Sequence, residues 1–298
     1  MQGLVVEVST MLRRSFLLAL CALVALSVWP TLAPAHGDKH DATARPTPLP
    51  FEPTEELVYE GEFSKAVLRG IEIAEFHFTA ARAPANPTAM NATGEANATN
   101  LVFKGDAVAK GWFRKLFHID FHFQMESVVE PKTFSILRTT IRDEQGARIR
   151  TSEAVFDRSS NLITWTERNP NDPANRVRVV KSPLNDAAHD FLSAIYYLRT
   201  RQLAPGQSLE LVLSDSGQVF RTPVKVVERK RMKTVLGKVQ TLRVDVELFG
   251  AGRLIEDRQG HMSLWLTDDA RRIPVRAHLD TNEGALDIKL KKAVTGNK

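Results

Sequence analysis

From residue 57 onward this chain is written in period two. The clearest stretch sets Ile119, Phe121, Phe123 and Met125 against Asp120, His122, Gln124 and Glu126. Side chains of a strand alternate between its faces, so this is a strand with one dry side and one wet side. Leu57, Tyr59 and Phe63 alternate in the same way, and Phe76 and Phe78 mark another such segment over 71–80. Similar segments recur at 133–142, 148–157, 162–168, 176–181, 208–214, 219–228, 239–249, 261–267, 273–279 and 285–292. Turn formers such as Asp215-Ser216-Gly217 and Asn282-Glu283-Gly284 separate most of them, which makes an antiparallel meander the simplest arrangement.

One segment breaks the rhythm. Phe191, Ile195 and Leu198 follow helical spacing, Asn185 or Asp186 can cap the first turn, and Pro205-Gly206 ends the region, which predicts a single helix over 187–200. A helix apolar on one side packs on the concave face of a curled sheet and plugs or lines its mouth. The expected fold is therefore mainly β: one strongly curved antiparallel sheet or open barrel with one packed α-helix, preceded by a cleaved signal helix.

That signal is read from Met11 to Ala35. Arg13-Arg14 opens a basic region, Ser15 to Trp29 is almost wholly apolar, and Ala33-Pro34-Ala35 offers small residues for cleavage. The run is too short to span a bilayer comfortably, which takes about 20 apolar residues, so no transmembrane anchor is expected after cleavage. Residues 1–35 are thus read as a signal peptide, 36–54 as a Pro-rich flexible linker with no core to bury, 55–293 as the β domain and 294–298 as a tail. The mature chain would work in the periplasm or otherwise outside the cytoplasm, where nucleotide-dependent enzymes and nucleic-acid readers start at a disadvantage. The only cysteine, Cys21, lies in the leader, so no disulfide is expected. The formal net charge of +5 is mild and spread out. Its densest run, Arg229 to Lys233, is read as a solvated hairpin turn, and nucleic acid is not an expected partner.

The chain shows no G-x-S-x-G elbow, phosphate-binding glycine loop or H-E-x-x-H helix, and most familiar catalytic classes are unsupported. One cluster has metal-ligand chemistry. On a strand, His118, Asp120 and His122 point one way, and two imidazoles with a carboxylate suit a transition metal and a metal-dependent hydrolase. A plain solvent-facing strand explains the same residues, since Gln124 and Glu126 continue that face. Asp268-Asp269 followed by Arg271-Arg272 fits a charged turn between strands, and His189-Asp190, as neighbours on a helix, cannot form a tight catalytic pair. No catalytic residue and no cofactor are assigned.

The run Asp190-Phe191-Leu192-Ser193-Ala194-Ile195-Tyr196-Tyr197-Leu198-Arg199, followed by Leu203-Ala204-Pro205-Gly206, resembles the central pattern of the DUF3108 family. Trp265-Leu266-Thr267-Asp268-Asp269-Ala270-Arg271-Arg272-Ile273-Pro274-Val275, then Glu283-Gly284-Ala285, is similar to that family's ending, and Leu57-Val58-Tyr59-Glu60 fits its opening. The resemblance implies an exported β-rich protein, similar in outline to the lipoprotein carriers LolA and LolB, and supplies no activity. Within that outline Tyr196 and Tyr197 are expected to pack with their hydroxyls reaching partners. Arg199 is expected to pair with Asp268 or Asp269 and fasten helix to sheet. The leading expectation is non-catalytic binding of a lipid or other apolar ligand in the curved sheet, with Phe121, Phe123, Trp165, Tyr196, Tyr197 and Trp265 lining the cavity. An envelope protein is the alternative partner, through exposed edge strands.

Overall fold

The computed structural model describes residues 49–65, 68–84, 99–111, 115, 120–256 and 258–294. The leader, most of the Pro-rich segment, His118 and residues 295–298 lie outside them. The first half of the described chain forms eight strands: β1 (Glu56–Lys65), β2 (Leu68–Pro84), β3 (Thr99–Ala109), β4 (Phe121–Val129), β5 (Ile136–Gln145), β6 (Arg148–Asp157), β7 (Leu162–Arg168) and β8 (Val177–Pro183). Helix α1 (Phe191–Thr200) follows, and then β9 (Ser208–Asp215), β10 (Gln218–Thr234), β11 (Gly237–Val246), β12 (Gly260–Thr267), β13 (Pro274–Thr281) and β14 (Gly284–Val294).

All fourteen strands belong to one antiparallel sheet in the order β8-β7-β6-β5-β4-β3-β2-β1-β14-β13-β12-β11-β10-β9. Two meanders, β1–β8 and β9–β14, are joined by the pairing of the first strand with the last, Leu57 opposite Ala293 and Phe63 opposite Leu286. The period-two reading placed most strands within a few residues. It missed β3, whose inner positions include Gly105 and Ala107, residues too small to write an apolar alternation. It also misplaced the basic run: Arg229 to Lys233 lies inside β10, in register with β11 from Leu242 to Lys238.

The sheet curls until its edges face one another without a hydrogen-bonded ladder between β8 and β9. A turn closes the gap. Gly217, between β9 and β10, lies against Trp165 and Val180 so closely that a Cβ there would come within 2.8 Å of Trp165, and its φ of +78° suits glycine. The Ser182 hydroxyl donates to the Gly217 carbonyl oxygen. Beneath the turn lie Asp143, Arg150, Glu167 and Asp215.

Helix α1 runs through the interior. Its cap is Asp190, four residues later than the predicted Asp186: one carboxylate oxygen accepts from the Ser193 backbone N–H at 2.7 Å and the other from the hydroxyls of Ser127 on β4 and Thr139 on β5, at 2.6 and 2.5 Å. The helix is buried almost all round rather than on one side. Leu192 and Tyr196 join the cluster built on β1–β7, while Ala194 and Leu198 join the cluster of β9–β12, so α1 is the common core of both meanders.

At its other end Arg199 is fully buried and pairs with the equally buried Glu55, Nη1 to Oε1 at 2.5 Å and Nη2 to Oε2 at 2.8 Å. The same guanidinium donates to the carbonyl oxygens of Arg271 and Pro50. Its partner is therefore not Asp268 or Asp269. Asp268 pairs with Arg229, and Asp269 accepts from Thr267 and from the backbone N–H groups of Arg271 and Arg272, shaping the β12–β13 turn. The Pro-rich segment also departs from expectation at its end, because Phe51 is 5% exposed and packs edge-on against Phe103 and Tyr196.

Removing one partner of a buried ion pair leaves an uncompensated charge. Glu55→Gln is expected to destabilise the fold by about 3 kcal/mol in urea unfolding, whereas Glu55→Leu combined with Arg199→Met restores most of that loss. A cost below about 1 kcal/mol for Glu55→Gln would show that the pair is not the anchor described. A second expectation concerns the closing turn. Burial pushes the Asp215 carboxyl up from 3.8 to about 8. Between those pH values the unfolded chain gives up a proton that the folded chain keeps, so the stability present below pH 4 is lost as pH rises toward 8. Asp215→Asn is expected to raise Tm more at pH 8 than at pH 4, and equal shifts would mean that Asp215 is ionised in the folded protein.

Candidate functional site

Between α1 and the sheet lies an apolar cavity of about 160 Å³. Tyr59, Phe76 and Phe78 on β1 and β2, with Phe123 and Met125 on β4, form one wall. Leu264, Leu279 and Ile288 on β12–β14 form the opposite wall, and Leu192 and Ile195 of the helix form the roof. Leu248, Leu254 and Ile255, from the connection between β11 and β12, cover the remaining side.

The register explains the space. Tyr59 lies opposite Phe76, Phe76 opposite Ala107 and Ala107 opposite Phe123, so one row across β1–β4 sets a single small side chain among three aromatic rings. Gly61 lets the Phe76 ring lie down, since a Cβ there would stand 2.8 Å from that ring. Gly105, facing Phe78 and Leu192, leaves further room under the helix. The two polar anchors of α1 fix its height above these small residues, so the helix cannot settle onto them.

The row changes character beyond β4. Phe123 lies opposite Asp143 and Asp143 opposite Arg150, while the neighbouring inner position of β7 is Glu167. Burial also lifts the pKa of Asp143. The apolar cavity ends where this polar patch begins.

Of the six aromatic residues expected to line a cavity, Phe123 does so. Phe121 is buried in the core and does not border the space. Trp165 faces inward under Gly217, with Arg178 5.5 Å from its ring. Tyr196 stacks on Phe103 at 4.0 Å, and its hydroxyl finds no hydrogen-bond partner among the described residues. Tyr197 stacks on His189 at 4.4 Å. Trp265 alternates with the cavity-lining Leu264 and so points to the other face, where Arg276 lies 4.8 Å from its ring and pairs with Asp287. Sequence reasoning did not assign Tyr59, Phe76, Phe78 and Met125 to the walls, although alternation marked them as inward positions, nor the aliphatic Leu264, Leu279 and Ile288.

The polar side chains singled out from the sequence do not converge on one site. His189 is buried beside Tyr197, and burial with the nearby Arg158 charge depresses its pKa to about 4, so it is neutral at physiological pH. His122 contacts Asp106 across the β3–β4 ladder at 2.8 Å, and the Asp120 carbonyl oxygen accepts from the Gly146 N–H. His118 lies outside the described residues. Among the described residues no group of three or more His, Cys, Asp or Glu side chains is placed to hold a metal ion, and no helix is long and apolar enough to cross a membrane.

Comparison with known proteins agrees with this architecture. A crystal structure of a β-barrel-like protein of the DUF1849 family from Brucella abortus superposes with a TM-score of 0.51 at 11% identity, covering 82% of this chain and 98% of that one. A Bacteroides fragilis protein described as exported and of YmcC-like fold aligns at 9% identity with a TM-score of 0.33, over 83% and 98% of the two chains. A Parabacteroides distasonis protein described as a lipoprotein aligns at 10% identity with a TM-score of 0.30, over 83% and 97%. No curated protein matches the sequence. The sequence profile of DUF3108, a protein family of unknown function, matches residues 76–291, and the chain belongs to that family.

Proposed function

We propose that the protein is a non-catalytic, extracytoplasmic binder of an apolar or amphipathic ligand, holding a hydrocarbon segment of it between α1 and the sheet. One observation carries this reading: a space of about 160 Å³ between α1 and the sheet walled almost wholly by apolar side chains. Interiors leave few voids larger than a water molecule, and a dry apolar cavity of about 150 Å³ is known to take up benzene. Arg276 and His278 alternate with the inward Ala277 and Leu279, so their side chains belong to the outer face, where Arg276 is paired with Asp287. The cavity therefore selects by shape and dryness rather than by charge. The signal-peptide reading of residues 1–35 supports a place outside the cytoplasm, where an amphiphile needs a shielded site to move through water.

Benzene is the direct probe. At about ten times its dissociation constant a ligand stabilises the native state by about 1.4 kcal/mol, which raises Tm by about 3 °C in a domain of this size. Ala107→Leu places three more carbons in the cavity and is expected to abolish that shift while leaving the fold intact. No shift in the unsubstituted protein, or the same shift in Ala107→Leu, would remove the reading.

A further inference from the structure

The walls of the cavity are not equally held. Strands β1–β4 and β12–β14 are hydrogen-bonded on both sides, and α1 is fastened at one end through Asp190 and at the other through the Arg199–Glu55 pair. The segment 247–256 is outside the sheet, yet it contributes Leu248, Leu254 and Ile255 to the lining. It is folded on itself: the Ile255 N–H donates to the Leu248 carbonyl, the Gly250 N–H to the Ile255 carbonyl and the Arg253 N–H to the Gly250 carbonyl. Gly250 and Gly252 take φ of 106° and 70°, which lets so short a segment fold back as a unit.

Leu248, Leu254 and Ile255 are buried in the core of β9–β12, but the polar ties of the segment to the body are few. At its root the Glu247 N–H donates to the Pro223 carbonyl. Near its tip Arg253 Nη1 donates to the Arg221 carbonyl at 2.8 Å. Between them the Phe249 ring rests on Gly260, where a Cβ would approach it to 2.8 Å. Phe249 does not line the cavity, so its work is to seat the flap.

We propose that the flap 247–256 is the gate through which a single hydrocarbon chain reaches the cavity, an inference that rests on the ligand-binding reading above. The open seam of the sheet, at Gly217, is a poorer path. A chain passing there would cross Asp143, Arg150 and Glu167, and burying charged groups against hydrocarbon is costly. The volume of about 160 Å³ holds about six carbons by comparison with benzene in its engineered cavity. A longer chain fits only with the flap displaced, its remainder passing outward between Leu254 and the strands.

The test is stopped-flow fluorescence with N-phenyl-1-naphthylamine, a probe larger than the closed cavity, on the unsubstituted protein, Phe249→Ala and Arg253→Ala. Both substitutions free the flap without changing the lining, and Arg253 lies at the surface, so that variant keeps the fold. Association and dissociation are each expected to quicken about tenfold in Phe249→Ala, the ratio that about 1.4 kcal/mol of lost seating gives, with Kd changed less than about threefold. Arg253→Ala shifts both rates in the same direction. Binding with unchanged rates in both variants would overturn the gate and leave the ligand site standing. Failure of both benzene and the naphthylamine to bind the unsubstituted protein would overturn the site, and the gate with it.

Discussion

The fold depends on a guanidinium in the wrong solvent. Arg199 is placed in an apolar interior, where its charge would be prohibitive alone, and Glu55 arrives from the start of β1 to meet it fork to fork. Around that contact three distant parts of the chain converge: the residues before β1 through Pro50 and Phe51, the helix, and the β12–β13 turn through the Arg271 carbonyl. Buried pairs are weak evidence for stability, since well-packed apolar residues often do as well. Their value here is positional. An apolar side chain tolerates sliding, whereas a bidentate pair fixes the helix along its axis and so holds Leu192 and Ile195 above the small residues of β3.

The second anchor is of the same kind but works on a different direction. Asp190 caps the helix and accepts hydroxyls from β4 and β5, which sets the angle at which α1 leaves the sheet edge. With both ends held by polar contacts, the middle of the helix is free to be apolar on nearly every side. That arrangement lets one ten-residue helix serve two meanders that touch each other in the sheet only through β1 and β14.

Much of this was legible in the sequence, because period two needs only one dry face to be written. The strands, the single helix, the curled sheet and the turn at Asp269 follow from alternation, helical spacing and turn chemistry. What escaped has physical reasons. Strand β3 hides because Gly105 and Ala107 are small where its neighbours are large. Glu55 escapes because it stands among Glu52, Glu56 and Glu60 with nothing local to mark it as the buried one. Yet the helix carried a clue: Leu192, Tyr196 and Arg199 fall on one stripe, so a charge on the buried side demanded a carboxylate from somewhere. The cavity was sought among aromatic residues, whereas voids form where large side chains face small ones, and that depends on register between strands far apart in sequence.

Alternation also says which side chains share a face without saying that the inner face is dry throughout. Across β1–β4 and β12–β14 it is dry, and there the cavity lies. Across β5–β7 the same inward positions carry Asp143, Arg150 and Glu167, of which Asp143 is buried while Arg150 still reaches water. The two halves do different work. The polar half is bound to the closing turn and resists an apolar guest, because any hydrocarbon entering it would strip those groups of their remaining water and partners. The apolar half can therefore lengthen in only one direction, toward the flap. The limit on what the site can hold is thus set by a row of charged residues on the inside of the sheet as much as by the apolar walls themselves.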